Sequence, residues 1–410
     1  MKFAGSLTCS LFLVASLAAQ ETPLPRAGAF FVNFPTAGVQ VAPDVAADGA
    51  DNFQVVWQAA AADLDGQDVR IRKLTYEGAF PGEQPLAQST ALNQLQPRIA
   101  MEADGDWVAI WTSGQALDRL PIGRATKKGG ASLGDEFQFT TGDATNVDTP
   151  DVALVGDDHL VGSWRVSGVR ALAANFRSRG GDDFGVTAIE DFAFDGIVAL
   201  AGLGGDQWVA AWHDPDVGSN GAYLRCQVAE SAAEHAFLAH DDTAGEQNYP
   251  DVASLGLGRF VAVWSSDDAV VGRIFQLRED GSCTPTAPEF EVSTPGQSVV
   301  SPRVAAAADG AFVVVWKART FDADGGIAAR EFTHDGTPVG APFPAHPAFA
   351  GIQSAPAVAV SASTFAVVWG HANDALPTER DIAARLFYRR LVFSDDFELA
   401  GLGRWSDTAP

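Results

Sequence analysis

Hydrophobic and polar positions along this chain fall into a pattern that returns seven times. Seven short apolar runs each close on a tryptophan: FQVVW at Trp57, WVAIW at Trp111, LVGSW at Trp164, WVAAW at Trp212, FVAVW at Trp264, FVVVW at Trp316 and FAVVW at Trp369. The tryptophans are spaced 54, 53, 48, 52, 52 and 53 residues apart, so one unit is copied along the chain. In the first run Phe53, Val55 and Trp57 alternate with Gln54 and Val56, the two-residue period of a strand. In the sixth, Phe312, Val314 and Trp316 alternate with Val313 and Val315, which is apolar on both faces and predicts a strand covered from two sides.

Each unit opens on a short apolar segment, usually led by proline: PDVA from Pro43, PRIA from Pro97, PDVA from Pro150 and Pro250, PRVA from Pro302 and PAVA from Pro356. The fourth unit substitutes GIVALA at 196–201. A turn such as Asp48-Gly49, Asp104-Gly105 or Asp309-Gly310 separates this opening from the tryptophan run. Proline can begin a strand but not sit in the middle of a ladder, and Asp-Gly turns a chain back, so the first two strands are predicted to form a hairpin. A third strand follows a variable loop, as in VRIRKL at 69–74, VGRIF at 271–275, IAAREF at 327–332 and IAARLF at 382–387. A glycine-rich turn then leads to a weaker fourth strand, such as EFQF at 136–139 or EFEV at 289–292.

Four strands repeated seven times predict an all-β, seven-bladed β-propeller over residues 28–390. The segment GAFFVNFPT at 28–36 reads as the end of a unit, and the last unit lacks a full fourth strand of its own. Both are explained if the N-terminal strand completes the last blade and closes the ring, which leaves no open sheet edge. A linear solenoid would need polar capping repeats that are not evident. Separate sandwiches of this repeat length would bury too little surface to stand alone.

Outside the ring, residues 1–19 begin with Met1-Lys2 and run through LFLVASLAA at 11–19, the pattern of a signal peptide rather than an anchor. Residues 20–27 read as a linker and 391–410 as a C-terminal tail. The expected location is therefore secreted, periplasmic or on the cell surface, with no membrane-spanning segment and a monomeric mature chain. Acidic residues outnumber basic ones 52 to 27, a formal charge of -25, which argues against nucleic acid and anionic membranes as partners. After the signal only Cys226 and Cys283 remain; they are either a disulfide or two isolated thiols.

Candidate chemistry is sparse. The loops between second and third strands vary most and carry acid, and DLDGQD at 63–68 and DADGG at 322–326 place Asp63, Asp65, Asp68, Asp322 and Asp324 where a hard cation such as calcium could find oxygen ligands. The same residues also read as solvated acidic turns. His213 and His371 follow the second strands of units four and seven without HxxxH or HExxH spacing, and read as ordinary polar residues. No catalytic residue is assigned, because no GxSxG element occurs and the repeated Asp-Gly pairs are explained by turns. Arg72, Arg124, Arg225, Arg273, Arg330 and Arg385 recur in the third strands and read as structural clamps on carboxylates or backbone carbonyls between blades. Gln40, Gln94, Gln247 and Gln353, each three residues before an opening proline, read as loop-bracing amides.

With PRVAAAADGAFVVVW at 302–316 followed by IAAREF at 327–332, the chain resembles a class of bacterial secreted propeller-like repeat proteins of unassigned function. VFSDDFELAGLGRWS at 392–406 resembles a C-terminal signature of exported proteobacterial proteins, carried by Asp396-Phe397-Glu398 and Trp405-Ser406. The first resemblance implies surface or extracellular binding. The expectation is a noncatalytic binding or scaffold protein that recognises a glycan or an extracellular protein through the variable loops of one face. The alternatives are a glycan-active hydrolase or lyase using loop carboxylates and a purely structural surface component.

Overall fold

A computed structural model of the protein describes residues 28–390 apart from 35–37, 62–65, 76–77, 90, 117, 127–133, 141–145, 157, 167–170, 179–182, 191–196, 216–219, 229–235, 242–244, 297–298, 320–324, 347–350 and 373–379. Seven antiparallel sheets follow one another along the chain, six of four strands and one, in blade 5, of five. Blade 1 is typical, with strands Gln40–Ala47, Asn52–Ala60, Gln67–Thr75 and Gly78–Pro85 in that order from the inside outward. The inner strands pack against one another in a closed cycle from blade 1 to blade 7 and back. Blade 7 takes its outer strand from the other end of the chain: Phe30–Phe31 lies antiparallel to Arg380–Tyr388, with Phe30 opposite Ala384. Val32 N–H extends the pairing to the Ile382 carbonyl at 2.7 Å.

The repeated residues hold the ring together from inside. All seven run-closing tryptophans are 0–1 % exposed, and each core cluster draws residues from two neighbouring blades. In blades 5, 6 and 7 the phenylalanine that opens the second strand stacks on the one that ends the third: Phe260 on Phe275, Phe312 on Phe332 and Phe365 on Phe387, at 5.3, 4.9 and 5.0 Å between ring centroids. The arginine two residues earlier in each third strand, Arg273, Arg330 or Arg385, lies over that second ring. This explains why the strand reads IxxRxF.

The third-strand arginines are inter-blade clamps, as expected. Four of them donate to a carbonyl at the outer edge of the preceding blade: Arg124 to Leu86 at 2.9 Å, Arg273 to Ala239 at 3.3 Å, Arg330 to Val292 at 3.0 Å and Arg385 to Ala345 at 3.3 Å. Arg72 donates to Val32, so the first blade grips the strand that closes the last. The glutamines do something more specific than bracing loops. Gln40, Gln94 and Gln247 accept the indole N–H of Trp57, Trp111 and Trp264 at 3.0, 2.8 and 2.9 Å, and Gln353 meets His371 Nδ1 at 2.9 Å. Cys226 and Cys283 are joined in a disulfide that ties the third strand of blade 4 to the outer edge of blade 5.

Candidate functional site in the central channel

The axis of the ring is walled by the seven inner strands, and their sequence decides what faces it. In six blades a non-glycine residue with φ between 46° and 55° immediately precedes the opening proline: Ala42, Gln96, Thr149, Tyr249, Ser301 and Ala355. Left-handed backbone costs a non-glycine residue about 1–2 kcal/mol, and a following proline restricts the residue further. The inner strand slips register at each of these points, for example between Val41 and Asp44 and between Val300 and Arg303. Such a bulge re-aims the side chains beyond it, and here the residue after the proline comes to the channel wall.

Seven equivalent positions result, each opposite the residue before the blade's tryptophan: Asp44, Arg98, Asp151, Ala199, Asp251, Arg303 and Ala357. Three carboxylates and two guanidiniums thus meet around one axis. Each aspartate reaches across to the next blade and accepts a backbone N–H: Ile99 to Asp44 at 2.9 Å, Leu200 to Asp151 at 2.7 Å and Val304 to Asp251 at 2.7 Å. Arg303 Nη1 also lies 3.3 Å from Asp251 Oδ1. The ring of charge therefore couples blades 1 with 2, 3 with 4 and 5 with 6.

Burial sets the electrostatics. It pushes the Asp151 carboxyl up to about 7, against the opposing pull of Arg98 and Arg303. Burial raises Asp251 too, partly offset by Arg303 and by the Val304 N–H. Arg98 is lowered, first by burial and then by Arg303. Burial also works to lower Arg303, but Asp251, Asp44 and Asp151 outweigh it and hold this guanidinium above its ordinary value. The channel has two halves that share Arg98 and Arg303. The half toward the hairpin turns holds the aspartates in a cavity of about 310 Å³. The opposite half, about 180 Å³, is rimmed by Pro43, Pro250, Pro302, Pro356 and Tyr249.

The residues singled out from sequence lie elsewhere. Asp63, Asp65, Asp322 and Asp324 fall outside the described residues, and Asp68 is buried at the start of a third strand with its Oδ2 3.2 Å from Arg70 Nη2. His213 is buried with its ring 5.3 Å from that of Tyr249. Another set of acids does converge: Glu102, Asp104 and Asp106, in the hairpin turn of blade 2, bring one carboxylate oxygen each within 4.8 Å of the others and could in principle chelate a metal ion. In the sequence Asp104 reads only as a turn residue. The aspartates and arginines after the opening prolines read there as strand starts, although their order, Asp, Arg, Asp, then Asp, Arg, is visible in the openings.

No protein-family model matches the chain, and no curated protein does. Solved structures do. A protein of unknown function from Dyadobacter fermentans aligns with a TM-score of 0.54 at 10 % identity, over 90 % of this chain and 99 % of that one. The GH93 α-L-arabinofuranosidase of Fusarium graminearum in complex with arabinobiose aligns with a TM-score of 0.50 at 8 % identity, over 88 % and 98 %. The β-propeller domain of the Trilobed protease from Pyrococcus furiosus aligns with a TM-score of 0.49 at 9 % identity, over 86 % and 94 %. These likenesses concern the fold alone. Among the described residues no helix is long and apolar enough to cross a membrane.

Proposed function

We propose that the protein acts on a carbohydrate in the central channel, as a glycan-active hydrolase. The observation that carries this reading is the channel's set of carboxyl groups, half-buried at Asp44 and Asp151 and buried at Asp251, of which Asp151 is raised to about 7. Glycoside hydrolysis needs one carboxylic acid to protonate the leaving oxygen and a second carboxylate to act as nucleophile or base, and enzymes separate these roles by placing the acid where burial keeps it protonated. Asp151 suits the acid role, and Asp44 or Asp251 the second. The frame agrees with this assignment, since the bulges fix these side chains on rigid strands rather than on loops. An arabinose oligosaccharide is a sensible first substrate because a protein of the same fold is known in complex with arabinobiose.

The test is release of reducing ends from a broad panel of oligosaccharides, arabinan fragments included, by the protein and by Asp151→Asn. Turnover that falls at least a hundredfold in the variant supports the assignment; turnover unchanged in the variant moves the chemistry elsewhere, and no turnover on any glycan rejects it. A second reading, binding without catalysis, is favoured by one observation: all three aspartates already accept a backbone N–H from the next blade. Saturable binding without turnover would select it. A secreted or surface location, and a role for residues 391–410 in placement, belong with either reading and are tested by fractionating cells that express the full and the truncated chain.

A further inference from the structure

Arg98 and Arg303 occupy the waist of the channel and line both of its halves. Arg303 has a carboxylate partner in Asp251. Arg98 has, among the described residues, only the Pro97 carbonyl at 3.4 Å and no ion pair. A guanidinium presents five N–H donors in a planar fork suited to a carboxylate, so most of the hydrogen-bonding capacity of Arg98 is left to the channel. On the proline side the lining carries Arg98 and Arg303 and no carboxylate, the three aspartates lying in the other half, in a chain whose formal charge is -25. Free anions are repelled by that overall charge; an anion that reaches the waist has to be held by local fit.

The half of the channel on the proline side supplies such fit. Its walls carry Pro43, Pro250, Pro302 and Pro356, and Tyr249 stands beside them 39 % exposed. A flat apolar rim with one accessible aromatic ring and a charged floor matches the two faces of an acidic sugar, a ring that packs and a carboxylate that pairs. We propose that the channel waist binds the carboxylate of a uronate residue, with Arg98 and Arg303 on the carboxylate and Tyr249 and the prolines against the sugar ring. This inference rests on the carbohydrate reading above and narrows its substrate class to acidic glycans. The competing role for Arg98 is that of a structural counter-charge to the three aspartates.

Isothermal titration calorimetry of the purified protein at low ionic strength separates these cases, with methyl glucuronide, methyl glucoside and inorganic sulfate as probes. The expected result is one saturable glucuronide site per chain, at least about tenfold tighter than the glucoside. Arg98→Met should weaken the glucuronide about tenfold or more, and Arg98→Lys should weaken it less. Equal affinity for glucuronide and glucoside, or an Arg98→Met variant that is folded by circular dichroism and binds as well as the parent, overturns the proposal. So does sulfate binding as tightly as glucuronide, which marks a bare anion site. If neutral glycans bind or turn over and uronates do not, the carboxylate assignment falls and the carbohydrate reading stands; if no saccharide of either kind binds, both fall. The glucuronide to glucoside comparison needs no variant, so it decides the matter even if Arg98→Met fails to fold.

Discussion

Replacing Asp151 with asparagine should stabilise the protein, and by more at alkaline than at acidic pH. In the folded ring the carboxyl titrates near 7, against an ordinary value of 3.8. Between those limits the folded state carries a proton that the unfolded chain has released, so stability falls as pH rises through this window and levels off above about pH 7. A rise of that size corresponds to at most about 4 kcal/mol, and solvent entering a cavity of about 310 Å³ reduces the figure. Asparagine resembles the neutral acid and retains an oxygen for the Leu200 N–H, which now bonds to Asp151 at 2.7 Å. The advantage of Asp151→Asn over the parent should therefore grow by roughly 2–3 kcal/mol between pH 4.5 and pH 8.5. Urea unfolding followed by tryptophan fluorescence at the two pH values, with circular dichroism to check that the transitions coincide, measures it. A variant less stable than the parent by the same amount at both pH values would refute the reasoning, because it would mean that Asp151 is ionised and held by Arg98 and Arg303.

If Asp151 is the proton donor, the same titration sets a functional limit: kcat/KM should decline as pH rises through about 7, and a pH–rate profile flat to pH 9 would remove Asp151 from that role. Gln247→Val leaves the Trp264 indole N–H without its acceptor and should cost about 1–3 kcal/mol in urea unfolding. The converse holds in blade 6, where Val299 stands three residues before Pro302 and the Trp316 indole N–H has no partner among the described residues; Val299→Gln should raise the unfolding free energy by about 1 kcal/mol, and a lower value would show that the larger side chain does not fit. Replacing Cys226 and Cys283 by alanine releases a bridge between residues 57 apart. The loop relation for that separation gives about 4 kcal/mol, so the parent should lose most of its advantage over the double variant in dithiothreitol; melting curves that reductant leaves unchanged would contradict this.

The architecture was legible in the sequence because it is written seven times. Phe312 to Trp316 and Ile327 to Phe332 name a strand pair, and GAFFVNFPT at 28–36 has the look of a unit's end; the pairing of Phe30 with Ala384 bears out the closure inferred from it. The arginine clamps were legible for the same reason, since a side chain that recurs at one register has a recurrent partner. The channel was not, and the cause is local. Whether Asp44 or Arg98 faces the axis or a neighbouring sheet depends on a bulge at the residue before proline, and Ala42, Gln96 and Thr149 carry no residue preference that signals a left-handed backbone. A two-residue period counted through Pro43 therefore assigns the wrong face to Asp44 and the residues beyond it. The loop acids drew attention because they are clustered in sequence, whereas the channel charges are about 50 residues apart and meet only when the ring closes.

That closure has a consequence in time. Phe30 and Phe31 leave the ribosome among the first described residues, and the strand they pair with follows roughly 350 residues later. At a synthesis rate of about 5–20 residues per second the first strand waits on the order of 20–70 s for its partner. Through that interval two phenylalanines and the backbone beside them stand as an unpaired strand, the kind of segment that joins foreign sheets. Val32 cannot be gripped by Arg72 in its final place until Ile382 has arrived. The ring is thus completed as a single late event, and a stalled or truncated chain presents near its N-terminus a strand edge that the finished protein has paired.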